Sequence, residues 1–202
     1  GLLMLRNFFF VNRFFFYRFI IDGIKYQYDN WNDGRYDVDT GCGFLNHMLE
    51  LFARHGNFNL NVKCRGDIDV DYHHTTEDTG IALGEAFVKA LGDKRGILRY
   101  GDIILPMDET LIMVAVDLGG RAYLDFSEVF IPAQKVGDFD TELVKEFMLA
   151  FTRTIGANIH IRQLAGENSH HIIEGIFKAL SRALAKAAKM DEKNFDKIPS
   201  TK

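Results

Sequence analysis

Cysteine is nearly absent from this sequence: Cys42 and Cys64 are the two in 202 residues, and they form no Cys-x-x-Cys spacing. That excludes a disulfide framework and argues against thiolate ligation of a metal. No apolar run reaches the roughly 18 to 20 residues that a membrane-spanning helix needs. Strong charge of either sign is also missing. The net charge of −4 gives no general reason to expect nucleic acid as a partner. Acidic residues are absent before Asp22, while Arg6, Arg13 and Arg18 lie in that stretch together with Phe8-Phe9-Phe10 and Phe14-Phe15-Phe16. The stretch lacks the unbroken apolar centre and small-residue cleavage site of a signal peptide, and the serine content of a transit segment. Its β-prone character fits a buried or partner-covered strand, or a non-native extension. The expected setting is reduced and cytoplasmic, or a plastid if the chain comes from a plant.

What is present is ordinary globular composition, 47% hydrophobic and 26% charged. That suffices for one large domain or two small ones. Against this background one pattern stands out. Asp71-Tyr72-His73-His74-Thr75-Thr76-Glu77-Asp78 is echoed by Ser169-His170-His171-Ile172-Ile173-Glu174, so four of the seven histidines sit in two His-His-x-x-Glu blocks. On a helix, residues three and four apart share a face. Glu77 can therefore point with His73 or His74, and Glu174 with His170 or His171. Adjacent histidines diverge by about 100° on a helix, so each pair suits two separate ions better than one. A single block of this kind is more often a solvated polar face. Two blocks in one chain favour a metal, and imidazole with carboxylate suits Mn, Fe or Zn.

Along the chain, residues 18–40 alternate loosely and Asn32-Asp33-Gly34 predicts a hairpin turn. Apolar Phe44, Leu45, Met48, Leu49 and Phe52 predict a helix stopping at Gly56. Strands are predicted over 59–63 and 68–72, then a helix from about Thr76 to Leu91 ending at Gly92. Leu111 to Leu118 reads as a strand that returns through Gly119-Gly120 as Arg121 to Phe126. A helix follows over Thr141 to Ile155, a strand over Ala157 to Leu164, and a last helix over Ser169 to Met190. His160 alternates against its apolar neighbours and reads as a surface or hydrogen-bonded residue.

The two halves share the order hairpin, helix, strand, His-His-x-x-Glu, helix. Superposing them places His47 on Glu146, Met48 on Phe147, Phe52 on Phe151 and Arg54 on Arg153. This predicts two copies of a ββαβα unit about a pseudo-twofold axis. The compact arrangement is a layered α+β domain with four helices between two sheets. Residues 21–93 and 94–192 would be the repeats within one compact domain, with the phenylalanine-rich 1–20 before them and an irregular tail, 193–202, after them. Candidate ligands are His47, His73, His74, Glu77, Glu146, His170, His171 and Glu174. Ligands with open positions indicate catalysis rather than a closed structural site, and a glutamate beside a metal can serve as acid or base. Arg95, Arg99, Arg121 and Lys178, with Ser200-Thr201-Lys202 at the end, form a basic theme that suits an anionic substrate, phosphate above all. Taken singly each is more often a solvated surface charge. Lys178 is the best placed, one helical turn from Glu174.

These residues resemble a known family. Phe44-x-x-His47-Met48-Leu49, the block from Asp71 to Gly84, Pro106-Met107-Asp108-Glu109, Gly166 to Glu174 and Ile198-Pro199-Ser200-Thr201-Lys202 are all similar to imidazoleglycerol-phosphate dehydratase, over roughly residues 33–202. The resemblance implies a duplicated α+β fold of the ribosomal protein S5 domain 2-like type, with two four-stranded sheets. It implies a 24-mer with sites between chains and a dinuclear manganese centre, two Mn2+ per subunit. The implied reaction, a step of histidine biosynthesis, removes water from imidazole glycerol phosphate to give imidazole acetol phosphate. By position, the metal ligands would be His47, His73, His74, Glu77, His170, His171 and Glu174, with Glu146 where the family usually has histidine. The ions would hold the imidazole as an anion and stabilise the charge developing as the hydroxyl leaves. Glu174, with Glu77, would move protons. His55, Arg99, Arg121, Lys178, Ser200 and Lys202 would bind the substrate. The chain departs from the family at Asn46 (usually Asp), Leu51 (usually Gln) and near Gly23-Ile24, where the family's substrate-contacting Glu-Thr falls.

Two rival readings fit the same residues. One is a dinuclear metallohydrolase acting on a phosphorylated or amide substrate. The other is a metal-assembled scaffold whose catalysis the departures at Gly23, Asn46, Leu51 and Glu146 have impaired.

Overall fold

The computed structural model describes residues 8–12, 15–22, 34–194 and 196–199, the first two segments as backbone strands only. Its elements run β1 (Phe8–Asn12), β2 (Phe15–Asp22), β3 (Tyr36–Asp39), α1 (Gly43–Gly56), β4 (Asn59–Arg65) and α2 (His73–Leu91) in the first half. The second half runs β5 (Tyr100–Met107), β6 (Thr110–Asp117), β7 (Tyr123–Glu128), the short pair β8 (Lys135–Val136) and β9 (Phe139–Asp140), α3 (Leu143–Ile155), β10 (Asn158–Ala165) and α4 (Ser169–Ala188).

The strands form two four-stranded sheets of order β1-β2-β4-β3 and β5-β6-β10-β7, each mixed, with its last strand paired in parallel. The helices are predicted by their apolar periodicity and obey it. Leu45, Met48, Leu49 and Phe52 bury one face of α1, and Asn57 ends that helix in the left-handed region at φ 54°. α1 and α2 lie on the first sheet and α3 and α4 on the second, while α2 packs on α3 and α1 on α4. Phenylalanine rings link all four helices across this contact. Phe52 of α1 sits 5.9 Å from Phe87 of α2, Phe87 lies 5.6 Å from Phe151 of α3, and Phe147 lies 5.1 Å from Phe177 of α4. The first two pairs are edge-to-face and the third is tilted, and aromatic contacts at these separations add to the area they bury.

Close approach decides two glycines. A Cβ on Gly101 of β5 would lie 1.9 Å from the Ala183 carbonyl oxygen, so β5 and α4 meet only because that atom is missing. A Cβ on Gly80 of α2 would lie 2.8 Å from the Phe147 carbonyl oxygen of α3. Both cysteines are fully buried in the first half, Cys42 just before α1 and Cys64 on the inner face of β4. No helix among the described residues is long and apolar enough to cross a membrane.

Several expectations need correction. Each four-stranded sheet has three strands before its first helix, not two, so the order within each half is βββαβα once the separate β8–β9 pair is set aside. In the first sheet β2 pairs with β1 and β4, and β3 runs parallel to β4. Residues 23–33, including Gly23 and the Asn32-Asp33 of the expected hairpin turn, lie outside the described residues. Gly119-Gly120 closes no hairpin. β10 lies between β6 and β7, and the second sheet's hairpin is β5–β6, turning at Asp108-Glu109. Residues 68–70 are turn, not strand, because Val70 N–H closes on the Asp67 carbonyl at 2.9 Å. The helix then starts at His73, where Asp71 Oδ1 accepts its N–H at 2.7 Å. His160 is a surface residue on β10, its ring nitrogen 3.5 Å from Asp125.

Candidate metal centre

The N-terminus of α4 is built by its cap. Asn168 Oδ1 accepts the backbone N–H groups of His170 and His171 at 3.0 and 3.3 Å, so the helix begins at the histidine pair. One turn on, Glu174 is 7% exposed. Its Oε2 lies 3.2 Å from His170 Nε2 and 4.0 Å from His47 Nε2 of α1, and its Oε1 is ion-paired with Lys178. Burial acts to raise the Glu174 carboxyl, but Lys178, with help from His170 and His47, outweighs it and holds the group below its ordinary range. A buried carboxylate kept ionised at neutral pH is an anionic donor.

His47, His170 and Glu174 each offer one ligand atom, all within 4.8 Å of one another, and among the described residues no other such group forms. Two imidazole nitrogens and one carboxylate oxygen converging at this spacing fit a divalent cation. α1 must pack on α4 to make this group, a long-range consequence of the fold.

The second histidine of each block faces elsewhere. His171 Nδ1 lies 2.8 Å from Glu109 Oε2 on the β5–β6 turn. His74 Nδ1 lies 2.9 Å from Asp67 Oδ2 in the loop before α2. The hydrogen bond from His171, with those from the Asn168 N–H and the Thr110 hydroxyl, brings Glu109 down to about 2. Conversely, Glu109 raises His171, and Asp67 raises His74. Asp67 carries no signal in the sequence, and Glu109 belongs to the Pro106-Met107-Asp108-Glu109 motif with no role assigned to it. Glu109 sits in a short acidic turn and Asp67 in a loop, and only the fold brings them to their histidines.

The other expected residues are placed as follows. His73 and Glu77 are half-buried on the first turns of α2, and Glu146 is half-buried on α3. The structure does not bring these three into the group around Glu174. His55, at the end of α1, is lowered by burial and then by the charges of Lys178 and Arg182, which puts it beside the Lys178 end of the centre. Arg99 is held by Asp117 through two hydrogen bonds, Nε to Oδ1 at 2.7 Å and Nη2 to Oδ2 at 3.1 Å. It lines a cleft with Lys94, Leu118, Gly119 and Pro199. The chain's end is drawn to this cleft, because Gly96 N–H donates to the Lys197 carbonyl at 2.8 Å and Arg99 Nη1 to the Pro199 carbonyl at 3.3 Å. Ser200 and Lys202 lie outside the described residues. Arg121 is exposed, and its carbonyl accepts from Asn158. Asn46 accepts the Thr40 N–H and hydroxyl through Oδ1, at 2.8 and 2.6 Å. An aspartate could accept both, so this departure keeps the local bonds. Leu51 packs against the core.

The family model described as imidazoleglycerol-phosphate dehydratase matches residues 40–184. The chain belongs to the imidazoleglycerol-phosphate dehydratase family. An imidazoleglycerol-phosphate dehydratase of Methylorubrum populi is 56% identical over 169 residues, 84% of this chain and 86% of the relative. That of Desulforamulus reducens is 54% identical over 170 residues, with the same shares covered. Among solved structures, the imidazoleglycerol-phosphate dehydratase of Staphylococcus aureus superposes with a TM-score of 0.77 at 41% identity, covering 87% of this chain and 95% of the other. The Pyrococcus furiosus member, solved in complex with (S)-C348, gives 0.79 at 32% identity over 96% and 98%. His47, both His-His-x-x-Glu blocks, Arg99 and Lys178 all lie inside the span of the family match.

Proposed function

We propose that this chain is a hydro-lyase that removes water from imidazole glycerol phosphate to give imidazole acetol phosphate, in histidine biosynthesis and in a cytoplasmic setting. The observation that carries the reading is the convergence of His47, His170 and Glu174 within 4.8 Å, with Lys178 on the other carboxylate oxygen. His47, His170 and Glu174 would hold one divalent ion. His73, His74, Glu77, Glu146 and His171 are the donors for a second and for completing the first, giving two Mn2+ per subunit. When bound, the ions supply positive charge that polarises the imidazole and offsets the negative charge of its anion.

The chain's own groups do the rest. Glu174, kept ionised by Lys178, accepts and returns the proton that accompanies loss of the hydroxyl, and Glu77 handles a proton from the other block. Lys178, His55, Arg99, Arg121, Ser200 and Lys202 bind the substrate, mostly through its phosphate. Arg99 presents a guanidinium already fixed by Asp117, which lowers the ordering cost of gripping an anion. The matching strand orders of the two sheets support a duplicated unit with four helices between two sheets and one compact domain. The separation of the α2 donors from the group around Glu174 supports sites completed between chains of a homo-oligomer, a 24-mer.

An elimination assay on imidazole glycerol phosphate tests the reading. Product that requires added Mn2+ is the expected result. Phosphate or amine release would instead mark a metallohydrolase, and no turnover with metal fully bound would mark a scaffold.

A further inference from the structure

We propose that Asp67 and Glu109 are positioning residues that fix the tautomers of His74 and His171, leaving Nε2 of each imidazole as the nitrogen offered to a cation. The inference rests on the reading of those histidines as ligands and adds the residues that aim them.

The geometry is the same at both sites. A carboxylate oxygen meets Nδ1 at 2.9 Å for His74 and at 2.8 Å for His171. An ionised carboxylate can only accept, so the nitrogen facing it must carry the hydrogen. In a neutral imidazole the proton is then on Nδ1 and the lone pair on Nε2. The second nitrogen of His171 lies 3.8 Å from Asp108, outside hydrogen-bond reach, and so keeps that lone pair. Without such a partner an imidazole in solution exchanges between tautomers, and a ligand lone pair is present only part of the time. The two carboxylates come from unrelated places, the loop before α2 and the β5–β6 turn, so the sequence repeat does not produce the pairing.

The two carboxylates also differ in what their other oxygen does, and that difference makes the proposal testable. Glu109 Oε1 is engaged, accepting the Asn168 N–H at 3.0 Å and the Thr110 hydroxyl at 3.0 Å. A glutamine at 109 must keep its carbonyl on the Asn168 N–H, which turns its NH2 donor toward His171 and forces the ring to accept on Nδ1. The proton then moves to Nε2, the nitrogen needed for metal. Asp67 Oδ1, in contrast, is buried without a hydrogen-bond partner among the described residues. An asparagine at 67 can place its NH2 there and keep its carbonyl on His74. Glu109→Gln should therefore invert a tautomer, and Asp67→Asn should not.

Solid-state 15N NMR of histidine-labelled, metal-free protein at about pH 8.5, where neutral imidazole dominates, reads this directly; His74→Ala and His171→Ala assign the signals. The unsubstituted protein should show both rings protonated on Nδ1. His171 should switch to Nε2 in Glu109→Gln, and His74 should stay unchanged in Asp67→Asn and lose its single tautomer in Asp67→Ala. Mn2+ affinity should fall about 10- to 100-fold in Glu109→Gln and Asp67→Ala and stay within about threefold in Asp67→Asn. A wild-type ring protonated on Nε2, or an unswitched His171 in Glu109→Gln, overturns the proposal. Unchanged metal content in both His74→Ala and His171→Ala overturns the ligand reading instead, so the two failures are distinct.

Discussion

The two His-His-x-x-Glu arms have the same spacing, yet they differ in what surrounds them. On α4, Glu174 is buried and joined to His170, to His47 of the neighbouring helix and to Lys178. On α2, Glu77 is half-buried, and the position equivalent to Lys178 is Ile81. The α4 start is braced by Asn168 and Glu109, the α2 start by Asp71 and Asp67. A repeated motif therefore does not mean a repeated role. The α4 arm joins His47 in a three-residue group within 4.8 Å, and the α2 arm joins no such group among the described residues.

The largest expected effect tests this inequality in catalysis. Glu174→Gln should lower turnover by about a thousandfold and Glu77→Gln by about a hundredfold, within the range for lost acid–base groups. Steady-state rates with saturating Mn2+ check the order, and a greater loss in Glu77→Gln would break the comparison. Chelation comes next. Removing metal with EDTA should lower the unfolding temperature, and Mn2+ at about 100 times its Kd should restore about 2.7 kcal/mol. Hydrogen exchange should show more protection lost over the first turns of α2 than of α4, because Asn168 and Glu109 hold α4 without metal.

The scaffolds beneath the arms differ as well. Gly101→Ala, against α4, should destabilise by about 3 kcal/mol through overpacking. Gly80→Ala, between α2 and α3, should cost only about 1 kcal/mol, since alanine's better helix propensity offsets part of the clash. Thermal melts should separate the two by roughly 4 to 8 °C for a chain of this size. The smallest effect lies on the outer faces of the sheets. Arg162, then Ser127, holds Asp125 well below the usual carboxylate range. A depressed pKa means the stabilisation is present above the unfolded value of about 4 and lost as pH falls through the folded one. Asp125→Asn should therefore melt slightly below the parent at pH 7, with the gap closing as pH drops below about 4.

Much of this was legible in the sequence, for local reasons. Apolar spacing marks the four helices, Gly56 and Gly92 mark stops, and the histidine blocks mark the arms. Lys178 lies one helical turn from Glu174, a spacing visible in the sequence. What the sequence hid were non-local pairings. Gly119-Gly120 reads as a hairpin turn, but β10 inserts between the strands on either side of it. Asp67 and Glu109 carry no periodic signal. Whether Glu174 turns to His170 or His171 depends on a cap and a turn glutamate that a spacing rule does not contain.

Cys42 and Cys64 are both in the first half, both fully buried, and no thiol lies in the second. A thiol reagent can reach them only when the first sheet or its covering helix opens, so modification rates report local opening on that side alone. The chain thus carries its own one-sided probe of breathing, and needs no engineered label to ask whether metal, substrate or assembly quiets the α2 layer.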